Sequence, residues 1–330
     1  MLDTLPEFSD VEAAAKRIAP WAVKTPLLES PALNDRVGGR VLLKPEMFQR
    51  TGSFKFRGAC NRISLIPKAD RGKGVVAFSS GNHAQGVAAV AALFQIPATI
   101  VMPSDVPRAK IEGTRSYGAS IVMYDRKTGD REAIAAGIQR ESGATLIKPF
   151  DDPFIVAGQG TAGLEMAQQA AALGVTLAQV FVPCGGGGLA AGISLALSTA
   201  SPATKVTAIE PENYDGMTRS MAAGSRVAGP ANTPSIADSL QAPMPGAVPF
   251  AVAQSKMYAA ASLNDEALAR AVSFAFRTLK IVVEPGGAAG LAALLSGKFH
   301  NRGETVGILL SGGNADPEAI MQCCASFPQP

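Results

Sequence analysis

Histidine and cysteine are scarce in this 330-residue sequence, and their scarcity removes whole classes of chemistry. There are two histidines, His83 and His300, too few for a multi-histidine metal centre. The four cysteines (Cys60, Cys184, Cys323 and Cys324) include no CxxC pair, so neither a disulfide framework nor a zinc ribbon is indicated. Charge is sparse as well. Asp, Glu, Lys and Arg make up 17% of the residues against 47% apolar, the balance of a well-buried globular protein with a large core and two domains or lobes. So low a charged fraction also hints at a buried subunit interface. The net charge of +3 comes without any Lys/Arg block interleaved with aromatics, so nucleic acid is not an expected partner. No apolar run reaches the roughly 18 residues of a membrane span. In GVAAVAALFQIPATIVMP, Gln95 and Pro97 interrupt the best candidate. The start, MLDTLPEFSDVEAAAKR, lacks the basic opening and apolar run of a signal peptide. The expectation is a cytoplasmic protein with no membrane partner.

What is present is an alternation of short apolar runs and longer Ala-rich segments, the pattern of βαβ units on a parallel sheet. Strands are expected at GVVAFSS (74–80), ATIVMP (98–103) and ASIVMYD (119–125). Helices follow them at HAQGVAAVAALF, AKIEGTRSYG and DREAIAAGIQRES. A second series has strands at QVFVPCGGGG (179–188), KVTAIEPE (205–212) and TVGILLSGGN (305–314). Its helices are LAAGISLALSTA, a segment near YDGMTRSMAAG, DEALARAVSFAFRTLK (265–280) and GGAAGLAALLSG. Residues 230–250, rich in Pro, Ala and Ser, read as a long surface excursion. The fold expected is α/β, two doubly wound open-sheet lobes with the active site in the cleft between them. Residues 71–145 form the small domain; 1–70 and 146–330 form the large one. In such sheets ligands sit at the carboxyl ends of strands.

Three polar loops fall at that place. Pro183-Cys184-Gly185-Gly186-Gly187-Gly188-Leu189 joins a strand to a helix, and four glycines without Cβ let backbone N–H groups converge on an anion at the helix N-terminus. The pattern is neither GxGxxG nor a P-loop, and the plainer alternative is a flexible turn. Ser79-Ser80-Gly81-Asn82-His83 also precedes a helix and suits a carboxylate, although a simple N-cap explains one of its polar residues. Leu310-Ser311-Gly312-Gly313-Asn314 ends the last strand; Ser311 suits a ring nitrogen, or the loop is a terminating turn. The remaining oddity is TGSFKFRG (51–58), a lysine between two phenylalanines. Burial lowers a lysine pKa, and a neutral amine forms Schiff bases with carbonyls such as pyridoxal phosphate. The bland alternative is a helix start whose Lys55 snorkels past core rings. Nucleophilic amine, phosphate cradle, carboxylate nest and neutral donor together suit pyridoxal 5'-phosphate carrying an amino acid.

SFKFRGA, SSGNHAQGVA, PCGGGGLAAG and SGGN, in this order, resemble the fold-type II (tryptophan synthase β-like) pyridoxal-phosphate enzymes. The resemblance runs from TPLLESPALN (25–34) to SGGN (311–314), and is to the threonine/serine dehydratase and serine racemase branch. It implies Lys55 as the Schiff-base lysine and proton carrier, Phe54 beside the ring and Asn82 on the ring 3-oxygen. It implies Gly185, Gly186, Gly187, Gly188 and Leu189 around the phosphate and Ser311 at the pyridine nitrogen. Ser79, Ser80, Gly81, Asn82 and His83 would bind substrate, with Ser80 at the position that is the opposite-face acid/base in racemases.

The implied reaction is β-elimination from a β-hydroxy amino acid such as threonine, serine, 3-phenylserine or hydroxyaspartate, giving a 2-oxo acid and ammonia. The alternatives are a racemase of the same fold and a non-catalytic ligand-binding protein. A homodimer is implied. Gly216 stands where metal-binding members carry an acidic residue, so either Glu210 and the Tyr214 carbonyl hold a divalent or monovalent cation, or Glu210 is a strand-end carboxylate with no metal. Ser239 and Ala242 depart from the racemase pattern too, and Arg131 reads as a surface residue at a helix start or as the partner of a second substrate carboxylate. With only a short segment after SGGN, the C-terminal regulatory domain of biosynthetic threonine dehydratases is not expected.

Overall fold

The computed structural model describes residues 5–106, 108–299 and 303–328; His300 lies outside them. Among the described residues ten strands occur in chain order: β1 (Leu28–Glu29), β2 (Val41–Pro45), β3 (Val75–Phe78), β4 (Ala98–Pro103), β5 (Ser120–Tyr124), β6 (Thr145–Leu146), β7 (Gln179–Pro183), β8 (Lys205–Pro211), β9 (Ala259–Leu263) and β10 (Val306–Leu310). They form two sheets, one ordered β1-β2-β10-β7-β8-β9 and the other β5-β4-β3-β6. Among these strands only the short β1–β2 pair is antiparallel. Every residue of β2, β3 and β10 is buried, as helices on both faces require of central parallel strands. Among the described residues no helix is long and apolar enough to cross a membrane.

Strand order fixes where ligands can enter. In the large sheet the chain runs outward from β7 through β8 to β9, while β10 and β2 lie on its other side. In the small sheet it runs from β3 through β4 to β5, with β6 opposite. The carboxyl ends of β7 and β3 are therefore switch points, where the flanking connections diverge and open a crevice. The glycine run follows β7, Ser311 follows its neighbour β10, and Ser79 follows β3.

Most strand and helix expectations fall on observed elements, but four differences matter. The expectations assign nothing to Pro153–Ala172, which is a 20-residue helix. It is buried on almost every side, so no amphipathic period marks it. Asp152 Oδ1 caps its start by accepting from the amides of Phe154 and Ile155 at 2.8 and 3.1 Å. This helix packs against Lys55–Ser64 on one side and Gly188–Ala200 on the other. Both contacts are made backbone to backbone: a Cβ on Gly158 would sit 2.7 Å from the Gly58 Cα, and one on Gly160 would sit 2.7 Å from the Gly192 carbonyl.

The helix expected over 265–280 stops as an α-helix at Phe274 and continues as a wider π turn over Ala275–Leu279. There Ala275 accepts from the Ile281 amide, and Lys280 closes the element at φ +60°. Residues 230–250 are not wholly a surface excursion. They carry a 3₁₀ turn at Asp238–Leu240 and the start of the helix Ala247–Lys256, and Leu240 is buried against Gly185. Finally, β2 and β9, which the expectations leave out, complete the large sheet on its two flanks.

Candidate active site

One cleft gathers every residue expected to hold cofactor or substrate: Phe54, Lys55, Ser79, Ser80, Gly81, Asn82, His83, Gly185, Gly186, Gly187, Gly188, Leu189 and Ser311. Lys55 opens the helix Lys55–Ser64, directly after a segment stitched to the end of β10. Ser53 bridges Gly312, and the Phe54 amide donates to the Ser311 carbonyl at 3.1 Å. These links put the lysine and Ser311 on one wall. The two phenylalanines flanking Lys55 diverge. Phe54 lies in the cleft with Lys55 Nζ 5.2 Å from its ring centre, whereas Phe56 is in the core of the small sheet.

The amine is half-buried and donates to the Pro149 carbonyl at 2.8 Å. Desolvation lowers its pKa to about 8, against the opposing pull of Glu284. A useful fraction is therefore neutral near physiological pH, as a nucleophile or base requires. His83 is held neutral: burial and the Lys55 charge push its pKa down to about 3. Since a carbonyl only accepts, its Nε2 carries the proton toward Ile147 O, 2.9 Å away.

The glycine loop is tightly walled. A Cβ on Gly186 would collide with the Phe150 ring, and one on Gly187 would lie 2.7 Å from Met217 Cε. Gly187 also has φ +91°, a conformation L-residues avoid. The amides of Gly186 to Leu189 find no acceptor among the described residues, and they open the helix Gly188–Ala200. Unpaired N–H groups at a helix start, with no carboxylate of the chain among them, fit the phosphate of pyridoxal phosphate. The loop after β3 is built in a similar way: Ser79 Oγ accepts from the Gly81 amide at 3.2 Å, and Asn82 and His83 open the helix Asn82–Leu93.

Other cleft residues escaped sequence reasoning. Glu284 is 3% exposed; burial and Asp238 raise its pKa to about 7. Its only signal was a lone carboxylate inside the apolar run IVVEPGG. Lys110, on the helix Arg108–Arg115, reaches across the mouth to Asp238 on the 3₁₀ turn Asp238–Leu240 at 2.8 Å. Phe150 walls the cradle, and nothing in its local sequence marks it. Arg131 does begin a helix at the surface, yet it also lines the cleft, its guanidinium 5.6 Å from the Phe78 ring centre. Ser239 and Ala242, noted as departures, line the same space.

Glu210 and Tyr214 lie elsewhere, at the end of β8. Glu210 is buried, its pKa raised to about 7 chiefly by desolvation. Its carboxylate accepts from the amides of Met217 and Thr218 and from the Thr218 hydroxyl, all at 2.7–2.8 Å, so it serves the start of the helix Gly216–Ala223. Among the described residues no group of three His, Cys, Asp or Glu is placed to hold a metal.

A cleft between two open parallel sheets, with a desolvated lysine beside a glycine cradle, defines a pyridoxal-phosphate enzyme of the fold-type II class. The family model for pyridoxal-phosphate dependent enzymes matches residues 18–312, and the chain belongs to that family. L-threo-3-hydroxyaspartate ammonia-lyase of Saccharomyces cerevisiae is 43% identical over 313 residues, 94% of each chain. Serine racemase of Schizosaccharomyces pombe is 41% identical over 315 residues, 95% of this chain and 96% of that one. Among solved structures, the T.th. threonine deaminase superposes with a TM-score of 0.88 at 43% identity, covering 94% of this chain and 99% of the other.

Proposed function

We propose that the chain eliminates the β-hydroxyl of a β-hydroxy amino acid, of the threonine, serine or 3-hydroxyaspartate kind, giving a 2-oxo acid and ammonia. One observation carries this reading: the Lys55 amine shares a cleft with two separate sets of helix-start amides, one for each anionic group that must be held. The named activities of the hydroxyaspartate ammonia-lyase and threonine deaminase relatives support it.

When bound, pyridoxal phosphate joins an amine through its aldehyde and withdraws electrons from the neighbouring carbon. The residues that would hold it are Gly185–Leu189 for the phosphate, Asn82 and Ser311 for the ring and Lys55 for the aldehyde. Ser79–His83 would hold the substrate carboxylate against the helix dipole. Lys55, neutral above its lowered pKa, takes the α-proton of the substrate. The Pro149 carbonyl, which accepts from Nζ in the structure, orients the amine. The C–O bond breaks with its electron pair leaving on oxygen, and that oxygen picks up a proton and departs as water. Water returns when the freed enamine hydrolyses. Ser311 offers the ring a hydroxyl and no negative charge, which favours prompt loss of the β-substituent over longer-lived carbanion chemistry.

Ser80 lines the cleft and supports a second reading, racemisation, which is also the named activity of one relative. A panel of β-hydroxy amino acids of both configurations, scored for ammonia, 2-oxo acid and inverted substrate, separates the two. Release of 2-oxo acid from none of them sinks the elimination. If Ser80 supplies the opposite-face proton, Ser80→Ala loses inversion and keeps most elimination from the L-isomer; equal loss of both refutes that role.

The domain division at 71–145, a homodimeric state and a cytoplasmic location complete the proposal. Support for the location is that all four cysteines are free and buried, as suits a reducing compartment. No step is assigned to a cation, because Glu210 already accepts three hydrogen bonds.

A further inference from the structure

A chain of hydrogen bonds runs from the turn before the catalytic lysine to the buried carboxyl of Glu284, and its polarity is forced at one end. The Thr51 carbonyl can only accept, so the Asn314 group 2.7 Å away is its Nδ2. That same Nδ2 gives its other hydrogen at 2.8 Å to Asn82, which must therefore present Oδ1. Asn82 Nδ2 consequently faces the other way and donates to Glu284 Oε1 at 2.7 Å. Nδ2 has two hydrogens, and the second finds no acceptor among the described residues, in a side chain that lines the cleft. Both ends of the chain are anchored: Thr51 sits at φ +63° within the short turn Arg50–Gly52, and the Glu284 amide donates to the Gly312 carbonyl at 3.0 Å.

We propose that Glu284 and Asn314 are positioning residues that lock the Asn82 amide so that one N–H always points into the cleft as a donor to the phenolic oxygen of the cofactor ring. Neither need touch the cofactor. An asparagine free to turn over would present its carbonyl oxygen to that oxygen part of the time, replacing an attraction by a repulsion between two acceptors. Glu284 blocks the turn because its carboxyl oxygen accepts from Asn82, and Asn314 blocks it from the opposite side as a donor that only an oxygen satisfies. The paired arrangement explains why a carboxyl with a raised pKa is kept in the cleft wall without a directly bonded cation; its hydrogen-bonding neighbours are Asn82 and Ser239, and Asp238, Lys110 and Lys55 face it through space.

This inference rests on the chain binding pyridoxal phosphate, so the test first titrates the cofactor-free wild type with pyridoxal phosphate and follows the visible absorption. If no cofactor band develops, the cofactor reading itself fails. Given a band, Glu284→Ala is expected to weaken cofactor affinity about tenfold, the worth of one hydrogen bond lost in a buried site. Its absorption should also shift toward the short-wavelength form, because the ring oxygen loses a constant donor.

Glu284→Gln, which keeps an acceptor for Asn82, should restore affinity to within about threefold of wild type on the same scale. In a double-mutant cycle, Asn82→Ala/Glu284→Ala should bind no more weakly than Asn82→Ala alone, since Glu284 acts through Asn82. Asn314→Ala gives the same spectral shift from the other end and serves if Glu284→Ala does not fold, which the melting of the cofactor-free forms reports. Additive losses in the cycle, equal losses for Glu284→Gln and Glu284→Ala, or an unshifted spectrum in Asn314→Ala would each overturn the proposal.

Discussion

Lys55 and Arg57 lie two residues apart on one helix and meet opposite fates. Arg57 points away from the cleft into a closed set of charges. Its Nε and Nη2 donate to the two Glu46 oxygens at 2.7 and 2.9 Å, and Nη1 and Nη2 donate to the two Glu165 oxygens at the same distances. Lys44 completes the set with bonds to Glu165, Gln169 and the Thr25 carbonyl. Burial works against the guanidinium, yet Glu46 and Glu165 overcome it and raise its pKa. Among the described residues Lys55 has no carboxylate bonded to it, only a carbonyl, and burial wins. Desolvation is common to both; the presence or absence of a counter-charge in hydrogen-bonding contact decides the ionisation. One turn of helix thus holds a permanently charged anchor and an amine poised to lose its proton.

The largest effect that tests this contrast is Lys55→Ala. Turnover of any accepted substrate should fall by at least ~10³-fold, the loss of base and covalent partner together, while the melting temperature holds or rises because a partly desolvated amine with no bonded counter-charge has gone. Steady-state assay beside thermal melting checks both halves, and a variant that unfolds would show that Lys55 is structural after all. Arg57→Met should do the converse. It strands the fully buried Glu46 and costs about 3–5 kcal/mol in urea unfolding. If Arg57→Met is as stable as the wild type, the paired cluster is not the anchor described here.

Titration sharpens the comparison further. A lysine whose folded pKa is near 8 binds fewer protons than the unfolded chain between about pH 8 and its ordinary value near 10.4. The cofactor-free protein should therefore gain stability from Lys55 as pH rises through that window, and Lys55→Met should lack that gain. Glu284 has the opposite sign: its folded pKa near 7 makes stability fall as pH rises from its ordinary range toward 7, a slope that Glu284→Gln removes. Chemical unfolding at stepped pH reads both. The smallest effect expected is at the cap of the long central helix, where Asp152→Ala should cost about 1 kcal/mol in unfolding and leave the pH slopes untouched.

The loops of the site were legible in the sequence because their chemistry is local. Four adjacent glycines between a strand and a helix, or Ser-Ser-Gly-Asn-His before one, announce a backbone arrangement whatever lies around them. Lys55 was legible from its aromatic neighbours, although only Phe54 proves to face it. Glu284, Lys110 and Phe150 were not, because their roles come from contacts with residues far away in the chain, as in the Glu284–Asn82 bond across 202 positions. The long central helix escaped for a related reason: with neither a polar face nor a strand-like alternation, it shows itself only through what it packs against. Arg131 begins a helix at the surface and also lines the cleft, which its sequence context alone does not decide.

The glycine seam along that central helix has a consequence for how this architecture changes its chemistry. Because Gly58 meets Gly158 and Gly160 meets Gly192 without intervening side chains, the spacing between amine and anion cradle is ruled by main-chain thickness alone. Mutational drift at the rim, at positions such as Arg131, Ser239 and Ala242, can reshape what is admitted without disturbing that ruler. One calibrated frame can in this way serve lineages that differ in appetite, and new specificities should be sought by editing the doorway while the seam is left alone.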